Sequence, residues 1–258
     1  MLKINGLYKC FDIGSINEKH VLNGIDLTLE DGDFVTVIGS NGAGKSTLLN
    51  CIAGSLFPDS GSIQIDDIDI TKLPEHKRAK YIGRVFQDPL QGTSSDMWIE
   101  ENLALAYRRG KRRGLSIGIT NSERQLFIEE LKEFDLGLED RLNTKVAKLS
   151  GGQRQALTLL MATLTKPKVL LLDEHTAALD PKTAKKVLET TDKIVNKNKL
   201  TTFMVTHNMK DAIEHGNRLI MMNEGKIVLD VKGKEKQELT VEKLLQKFNI
   251  TNDSMLLK

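Results

Sequence analysis

The sequence has little of what secreted or membrane-spanning proteins need. Its 258 residues include only two cysteines, Cys10 and Cys51, and their spacing fits neither a metal-binding nor a redox motif. No run approaches the roughly 18 apolar residues that cross a bilayer, and the first residues lack a secretory signal pattern. We therefore expect reduced thiols and a cytoplasmic location.

A strong excess of one charge is also lacking. Lysine and arginine number 37 against 35 acidic residues, so no general attraction to nucleic acid is expected. One local basic run covers residues 108–113. We expect a solvated loop there, and the alternative is a patch that faces anionic lipid headgroups or an acidic partner.

The most specific motif is a glycine-rich turn between an apolar strand and a helix. It matches the phosphate-binding pattern G-x-x-x-x-G-K-[ST]. Its residues are Gly39, Ser40, Asn41, Gly42, Ala43, Gly44, Lys45, Ser46 and Thr47. Glycines let successive backbone N–H groups converge on an anion. Lys45 is expected to reach the β- and γ-phosphates of a nucleoside triphosphate, and Ser46 to bind Mg²⁺.

Two carboxylates follow a second apolar run. Val169 to Leu172 fits a strand buried on both faces, and Asp173 and Glu174 come directly after it. Because such a strand delivers its end to the phosphate-binding edge of a parallel sheet, Asp173 is expected to hold Mg²⁺. Glu174 is expected to orient or deprotonate the attacking water.

A third motif consists of Ser150, Gly151, Gly152 and Gln153. Ser150 fits the N-cap of an amphipathic helix. Two glycines in the first turn weaken a helix but allow close approach of an anion to its N-terminus. This start is therefore a candidate for a second phosphate site.

Strand-like and helix-like segments alternate along most of the chain, which favours an α/β fold. The first part is rich in strands, including one expected over residues 62–70. Helices are expected on both sides of the basic run. Asp180 fits the N-cap of a later helix, a hairpin is expected to turn at 223–225, and Thr240 is expected to cap a last helix.

In their order, these motifs resemble the ATP-binding subunit of an ATP-binding cassette (ABC) transporter over nearly the full length. The resemblance implies the P-loop NTPase (ABC ATPase) fold: a mostly parallel central sheet, an N-terminal antiparallel β subdomain and an α-helical subdomain. A single ATPase domain is expected over 1–250. Within it, 1–88 and 160–230 form the ATP-binding core and 89–159 the helical subdomain with the signature motif, while 231–258 form a C-terminal helix and tail.

The resemblance also implies roles for individual residues, with ATP and Mg²⁺ as cofactors. Ser150 to Gln153 would bind the γ-phosphate of ATP held by a second ATPase subunit, which predicts a homodimer around two ATP. Gln87 would contact Mg²⁺ and the attacking water. The remaining implied site residues are Asp180 in a dimer-contact loop, His207 as the switch histidine, and Phe11 stacked on adenine, with Tyr8 a weaker candidate.

The sequence around Asp173 and Gln87 resembles that of an importer subgroup. Its members work with a separate membrane permease and, indirectly, with an extracytoplasmic solute-binding protein. This predicts a subunit peripheral on the inner face of the cell membrane, and amino acids are among the solutes implied. His175 departs from the family pattern, which has proline after the catalytic glutamate.

Two other classes were weighed against a transport ATPase. A non-transport ABC ATPase acting in cell division or assembly stays open, since such proteins share the motifs. A small GTPase or a P-loop kinase fits poorly, because neither class explains Ser150, Gly151 and Gly152. The guanine-reading aspartate is also missing after Asn196-Lys197.

Overall fold

The computed structural model describes residues 1–111 and 118–247. The chain divides into two compact units, one formed by 1–73 with 201–258 and the other by 74–200. The domain and subdomain boundaries inferred from the sequence remain predictions. Residues 112 and 113 of the basic run and the end of the predicted C-terminal tail lie outside the described residues.

Strands and helices alternate along the described chain, as the sequence pattern predicts. The strands are β1 (Leu2–Phe11), β2 (Lys19–Leu29), β3 (Phe34–Gly39), β4 (Ser60–Ile65), β5 (Ile68–Asp69), β6 (Ile82–Val85), β7 (Val169–Asp173), β8 (Thr201–Val205), β9 (Arg218–Asn223) and β10 (Lys226–Lys232). The helices are α1 (Lys45–Ala53), α2 (Glu75–Arg78), α3 (Ile99–Tyr107), α4 (Asn121–Lys132), α5 (Gly151–Thr163), α6 (Pro181–Asn198), α7 (Met209–Glu214) and α8 (Lys234–Gln237), with a 3₁₀ turn at Val146–Lys148. Residues 241–247 are also helical.

The first unit contains an antiparallel sheet in the order β2-β1-β4-β5. This confirms the predicted N-terminal antiparallel sheet. The single strand expected over 62–70 is wrong, because the chain turns at Asp66 (φ 52°) and returns as β5. An aspartate tolerates this left-handed conformation better than most residues do, so β4 and β5 form a hairpin instead.

The first unit also carries a group of strands around β3. Strands β8 and β9 pair with β3 in parallel, and β10 pairs with β9 antiparallel, across the predicted hairpin. β3 is buried along most of its length, as expected for a strand covered on both faces. β3 ends at Gly39, which is the first residue of the phosphate-binding motif.

The second unit combines a parallel pair, β6 and β7, with helices. The pairings β3–β8, β3–β9 and β6–β7 are parallel, and β9–β10 is antiparallel. This confirms the predicted mostly parallel sheet. Phe127 and Leu131 of α4 are fully buried. Gly83 of β6 lies so close to the Ala162 carbonyl of α5 that a Cβ would collide with it.

The basic run differs from the expected solvated loop at two positions. The Arg108 guanidinium lies 3.0 Å from both carboxylate oxygens of Glu123, and Arg109 donates to the Met161 carbonyl at 3.1 Å. Burial lowers the pKa of Arg109. The expectation of solvent-exposed side chains is wrong for these two arginines. Their partners lie 15 and 52 residues away in sequence, so the local sequence does not reveal them.

Within residues 1–111 and 118–247, no helix is both long enough and apolar enough to span a bilayer.

Candidate functional site

The phosphate-binding loop joins β3 to α1 through backbone that only glycine adopts easily. Gly39, Gly42 and Gly44 have φ values of 154°, 83° and 97°. A Cβ on Gly44 would lie 2.7 Å from the Val21 carbonyl oxygen, and one on Gly39 would collide with the Met222 carbonyl. These glycines therefore satisfy both a conformational and a steric requirement.

The start of α1 is open to an anion. Its N-cap, Gly44, makes no side-chain capping hydrogen bond, and the first turn holds no acidic residue. Helix N-termini left in this state present N–H donors and the positive end of the helix dipole. The loop thus has the donor arrangement that a phosphate group requires.

Lys45 lies over the loop. Its side chain is buried, and its ammonium donates to the carbonyl oxygens of Gly39 at 2.8 Å and Ser40 at 2.9 Å. A phosphate oxygen would take the place of these carbonyls as acceptor. Ser46, the residue expected to bind Mg²⁺, is exposed at the start of α1.

A cavity of about 670 Å³ opens beside the loop, within the first unit. Its lining includes two loop residues and three cationic or titratable side chains of β2 and β10. The lining residues are Tyr8, Lys19, His20, Asn23, Asn41, Gly42, Glu224 and Lys226. A volume of this size, next to an anion-binding loop and lined partly by lysines, suits a nucleotide.

The two aromatic candidates for adenine stacking differ in position. Tyr8 lines the cavity, and its ring packs against Gly24, where a Cβ would lie 2.7 Å from the tyrosine hydroxyl. Phe11 ends β1 and has the Lys9 ammonium 5.5 Å from its ring centroid. The weaker sequence candidate is therefore the one at the cavity wall, and the stacking role of either ring stays a prediction.

Asp173 ends β7 beside a cation that the sequence analysis did not identify. Its carboxylate lies 3.4 Å from an Arg84 guanidinium nitrogen of β6. Burial raises the pKa of Asp173, and the Arg84 charge opposes that rise. Arg84 also stacks on Phe86, 4.5 Å from the ring centroid. The only feature of the sequence that could have indicated this ion pair was the position of Arg84, three residues before Gln87.

Glu174 has an unusual backbone conformation. Its φ is 44°, a value that non-glycine residues rarely adopt, and its carbonyl accepts the Ala177 N–H at 2.9 Å. Strain of this kind is concentrated at functional sites. The role of Glu174 as the residue that activates water stays a prediction.

His175 is buried against α6. Its Nε2 lies 3.3 Å from the Thr191 hydroxyl, which itself donates to the Val187 carbonyl. Because the hydroxyl proton is used there, we assign Nε2 as the donor to the Thr191 oxygen. His175 therefore joins the end of β7 to α6 by a hydrogen bond that a proline cannot make.

Gln87 is exposed two residues after β6. The Phe86 carbonyl just before it accepts a hydrogen bond from Gln155 of α5 at 3.3 Å. The buried Gln155 thus fixes the backbone that precedes Gln87. No local pattern in the sequence predicted this contact, which links residues 69 positions apart.

Helix α5 begins with a complete capping box. The Ser150 hydroxyl accepts the Gln153 N–H at 3.3 Å, and the Gln153 side chain accepts the Ser150 N–H at 3.2 Å. The two glycines differ. Gly151 is exposed, whereas a Cβ on Gly152 would collide with the Thr183 methyl group. Gly152 is therefore required for packing, and Gly151 is the glycine open to a ligand.

The last two predicted site residues lie at other helix starts. Asp180 caps α6 through the Thr183 N–H at 3.1 Å, and hydrogen bonds from Thr183 lower the pKa of Asp180. His207 is exposed two residues after β8 and directly precedes Asn208, the N-cap of α7. The Asp180 cap was predicted from the sequence and the Asn208 cap was not, and the functional roles of Asp180 and His207 stay predictions.

The residues expected to bind Mg²⁺ offer the right donor chemistry. Ser46 presents a hydroxyl, Gln87 an amide oxygen and Asp173 a carboxylate. Oxygen donors of these types are the ligands that Mg²⁺ prefers. Burial raises the pKa of Asp173 and so disfavours its ionised form. A nearby cation would stabilise that ionised form, because a positive charge favours a carboxylate.

The loop, the strand ends and the parallel pairings define a P-loop NTPase. The family model described as ABC transporter matches residues 22–177, more than half of the chain. The chain belongs to the ABC transporter family, as an ATP-binding subunit with ATPase activity.

Curated relatives cover most of this chain. It is 51% identical over 249 residues to a tyrosine transport ATP-binding protein of Clostridioides difficile (strain R20291), covering 96% of this chain and 98% of the relative. It is 34% identical over 241 residues to the spermidine/putrescine import ATP-binding protein PotA of Haemophilus influenzae. That match covers 92% of this chain but 61% of the longer relative.

Solved structures agree with this assignment. An ATP-binding cassette, MJ0796, in a dimeric post-hydrolysis state bound to ADP and Pi has a TM-score of 0.77 and 30% identity, covering 90% of this chain and 98% of that chain. The ADP conformation of the cassette MJ1267 has a TM-score of 0.78 and 25% identity, covering 96% and 98%. The predicted fold class is thereby confirmed.

Proposed function

We propose that this chain is the ATP-hydrolysing subunit of an importer for amino acids, tyrosine among them. The observation that carries the proposal is the 51% identity to a tyrosine transport ATP-binding protein, since the match extends over 98% of that relative. The more distant relatives named for polyamine import also favour import as the direction of transport.

The proposed chemistry is in-line attack of water on the γ-phosphate. The glycine N–H groups and Lys45 bind the phosphates, and Glu174 holds or accepts the proton of the attacking water. Ser46, Gln87 and Asp173 would hold Mg²⁺, which would supply charge neutralisation for the phosphate oxygens. In this proposal, Gln87 contacts Mg²⁺ and the attacking water, and His207 contacts the γ-phosphate.

The chain is proposed to act as a homodimer in which Ser150 to Gln153 of each copy binds ATP held by the other. The exposed Gly151 and the uncapped start of α1 support this arrangement, because each offers backbone N–H groups to a phosphate. The solved cassette with a dimeric, ADP-bound state is a further support.

The permease is proposed to dock on the second unit, near Gln87. Leu90, Trp98 and Leu105 are exposed large apolar side chains of that unit, at 48%, 43% and 45%. Leu90 follows Gln87 by three residues, so movement at one would be transmitted to the other. Docking to a permease would place the chain at the inner surface of the cell membrane.

Uptake by whole cells tests the solute. A strain that lacks the chain is complemented with the wild type or with Glu174→Gln, and uptake of radiolabelled tyrosine, phenylalanine and spermidine is compared. We expect wild type to restore tyrosine uptake and Glu174→Gln to fail. If the wild-type chain restored only spermidine uptake, the proposed solute would be wrong. If the strain that lacks the chain took up all three solutes normally but had a division defect, the non-transport alternative would be favoured.

A surface charge tests the docking face. Leu90→Asp should abolish tyrosine uptake while the purified protein keeps its ATPase activity, because the change removes an apolar contact outside the proposed ATP site. The matched control is Leu245→Asp, which alters a side chain of similar exposure, 43%, in the helical segment 241–247. Equal uptake by the two variants would contradict docking at Leu90.

A further inference from the structure

Three side chains of different types meet at the end of the first hairpin. They are Cys10 of β1, His20 of β2 and Glu18, which precedes β2. One ligand atom from each, the Cys10 sulfur, a His20 ring nitrogen and a Glu18 carboxylate oxygen, lies within 4.8 Å of the others. The sequence spacing hides this cluster, since it becomes visible only when β1 and β2 pair.

Strand pairing brings the cysteine and the histidine together. Cys10 and His20 are direct partners in the antiparallel register of β1 and β2. Opposite residues of such a pair have Cβ atoms about 4.5–5.5 Å apart and project from the same face. The backbone therefore fixes the two side chains as neighbours, independently of their rotamers.

Glu18 is held in place from the other side. One of its carboxylate oxygens accepts the Gly14 N–H at 2.7 Å, and the other lies 3.2 Å from Nε2 of His20. Donors of a tetrahedral zinc site are about 3.2–3.7 Å apart, given metal–ligand bonds of about 2.0–2.3 Å. The Glu18–His20 separation already meets that spacing, and the exposed His20 ring can turn toward the sulfur.

We propose that Cys10, Glu18 and His20 form a binding site for zinc or a similar borderline divalent cation. Sulfur and imidazole exclude Mg²⁺ and Ca²⁺ as preferred ions, since those cations take oxygen ligands. A thiolate and a carboxylate neutralise the two charges of the metal. Three protein ligands leave the fourth tetrahedral position for water or a ligand of the cavity that His20 also lines.

Binding requires a proton to leave the cysteine. A metal binds the thiolate form of cysteine, whereas a free cysteine thiol has a pKa of about 8.5 and carries its proton near neutral pH. On binding, the S–H bond breaks, a sulfur–metal bond forms and the proton goes to solvent. Affinity should therefore rise with pH, and about one proton should be released per metal bound.

Metal titration of the untagged, chelator-treated full chain tests the site. Zinc competes with a chromophoric chelator, and we expect about one zinc per chain with affinity at least tenfold weaker in Cys10→Ser and His20→Gln. Controls are Cys51→Ala and His76→Gln, which change the other cysteine and an exposed histidine of α2. Unchanged affinity in both site variants, or no competition by wild type, would overturn the proposal.

A cobalt spectrum separates ligation from loss of folding. Cobalt bound to wild type should show a thiolate-to-metal charge-transfer band, which Cys10→Ser loses and Cys51→Ala retains. Because Cys10 is buried, thermal unfolding of each variant is followed by circular dichroism. The exposed His20→Gln and Glu18→Gln variants should fold as wild type and still bind less metal. A cobalt spectrum without the thiolate band in wild type would refute the assignment of Cys10.

Discussion

Helices α1 and α5 both begin beside glycines, yet they use their first N–H groups differently. The start of α1 has no side-chain cap, and Lys45 covers the loop by donating to its carbonyls. The start of α5 is closed by the reciprocal hydrogen bonds of Ser150 and Gln153. An open start depends on a ligand to satisfy its donors, whereas a capped start is stable alone and can offer only what its cap leaves free.

In the proposed dimer, this difference would suit the two helices to different halves of one ATP site. The loop before α1 has glycine backbone and a helix start without a side-chain cap, so it would by itself offer several N–H donors to a phosphate. α5 presents an exposed Gly151 and a Ser150 hydroxyl whose proton is free to donate to a phosphate. We infer that α5 adds to a site that the loop has already formed.

Lys45→Ala should have the largest effect. Loss of the ammonium removes the charge expected at the β- and γ-phosphates, and we expect hydrolysis to fall by roughly a hundredfold or more. Steady-state phosphate release measures it, with Lys77→Ala, an exposed lysine of α2, as the control. Hydrolysis within twofold of wild type would show that the loop binds without its lysine.

Ser150→Arg should act on the dimer rather than on the loop. The long cation replaces both the cap and the phosphate donor, and we expect hydrolysis to drop about tenfold or more while ATP still binds. Fluorescent nucleotide titration and light scattering measure binding and dimerisation. Hydrolysis that survives the change would mean that α5 contributes nothing to the ATP site.

The glycine pair should separate packing from ligand contact. Gly152→Ala places a methyl group against Thr183 and should lower the free energy of unfolding by about 1–3 kcal/mol. Gly151→Ala meets only Leu179 at 3.5 Å, and it should leave stability near wild type while lowering ATPase activity. Urea unfolding and phosphate release measure the two effects. The opposite ranking would reverse the roles assigned to these glycines.

Ser150→Ala should lower the free energy of unfolding by about 1 kcal/mol, because it removes one N-cap acceptor. Thr120→Ala is the matched variant, since Thr120 and Glu123 form an equivalent capping box at α4. Both should lower stability by similar amounts in urea unfolding, but only Ser150→Ala should reduce ATPase activity. Equal activity in the two would make Ser150 a cap and nothing more.

The sequence by itself determined the features that depend on neighbours along the chain. The loop from Gly39 to Thr47, the caps Ser150 and Asp180, and the hairpin at 223–225 follow from local backbone rules and hydrophobic period. The exception was Asp66, where a single left-handed residue divided an expected strand. Local interactions act over a few residues, so their pattern is legible before folding.

Tertiary structure alone decided which distant residues meet. Arg84 beside Asp173, Gly152 against Thr183 and the Cys10–Glu18–His20 cluster leave no local pattern, because each depends on strand register or on how closely two helices pack. Cys10 and Cys51 had no metal-ligand spacing, yet β1 and β2 place Cys10 opposite His20. A pairing register shifted by one residue would turn these side chains to opposite faces, which is why folding had to supply that answer.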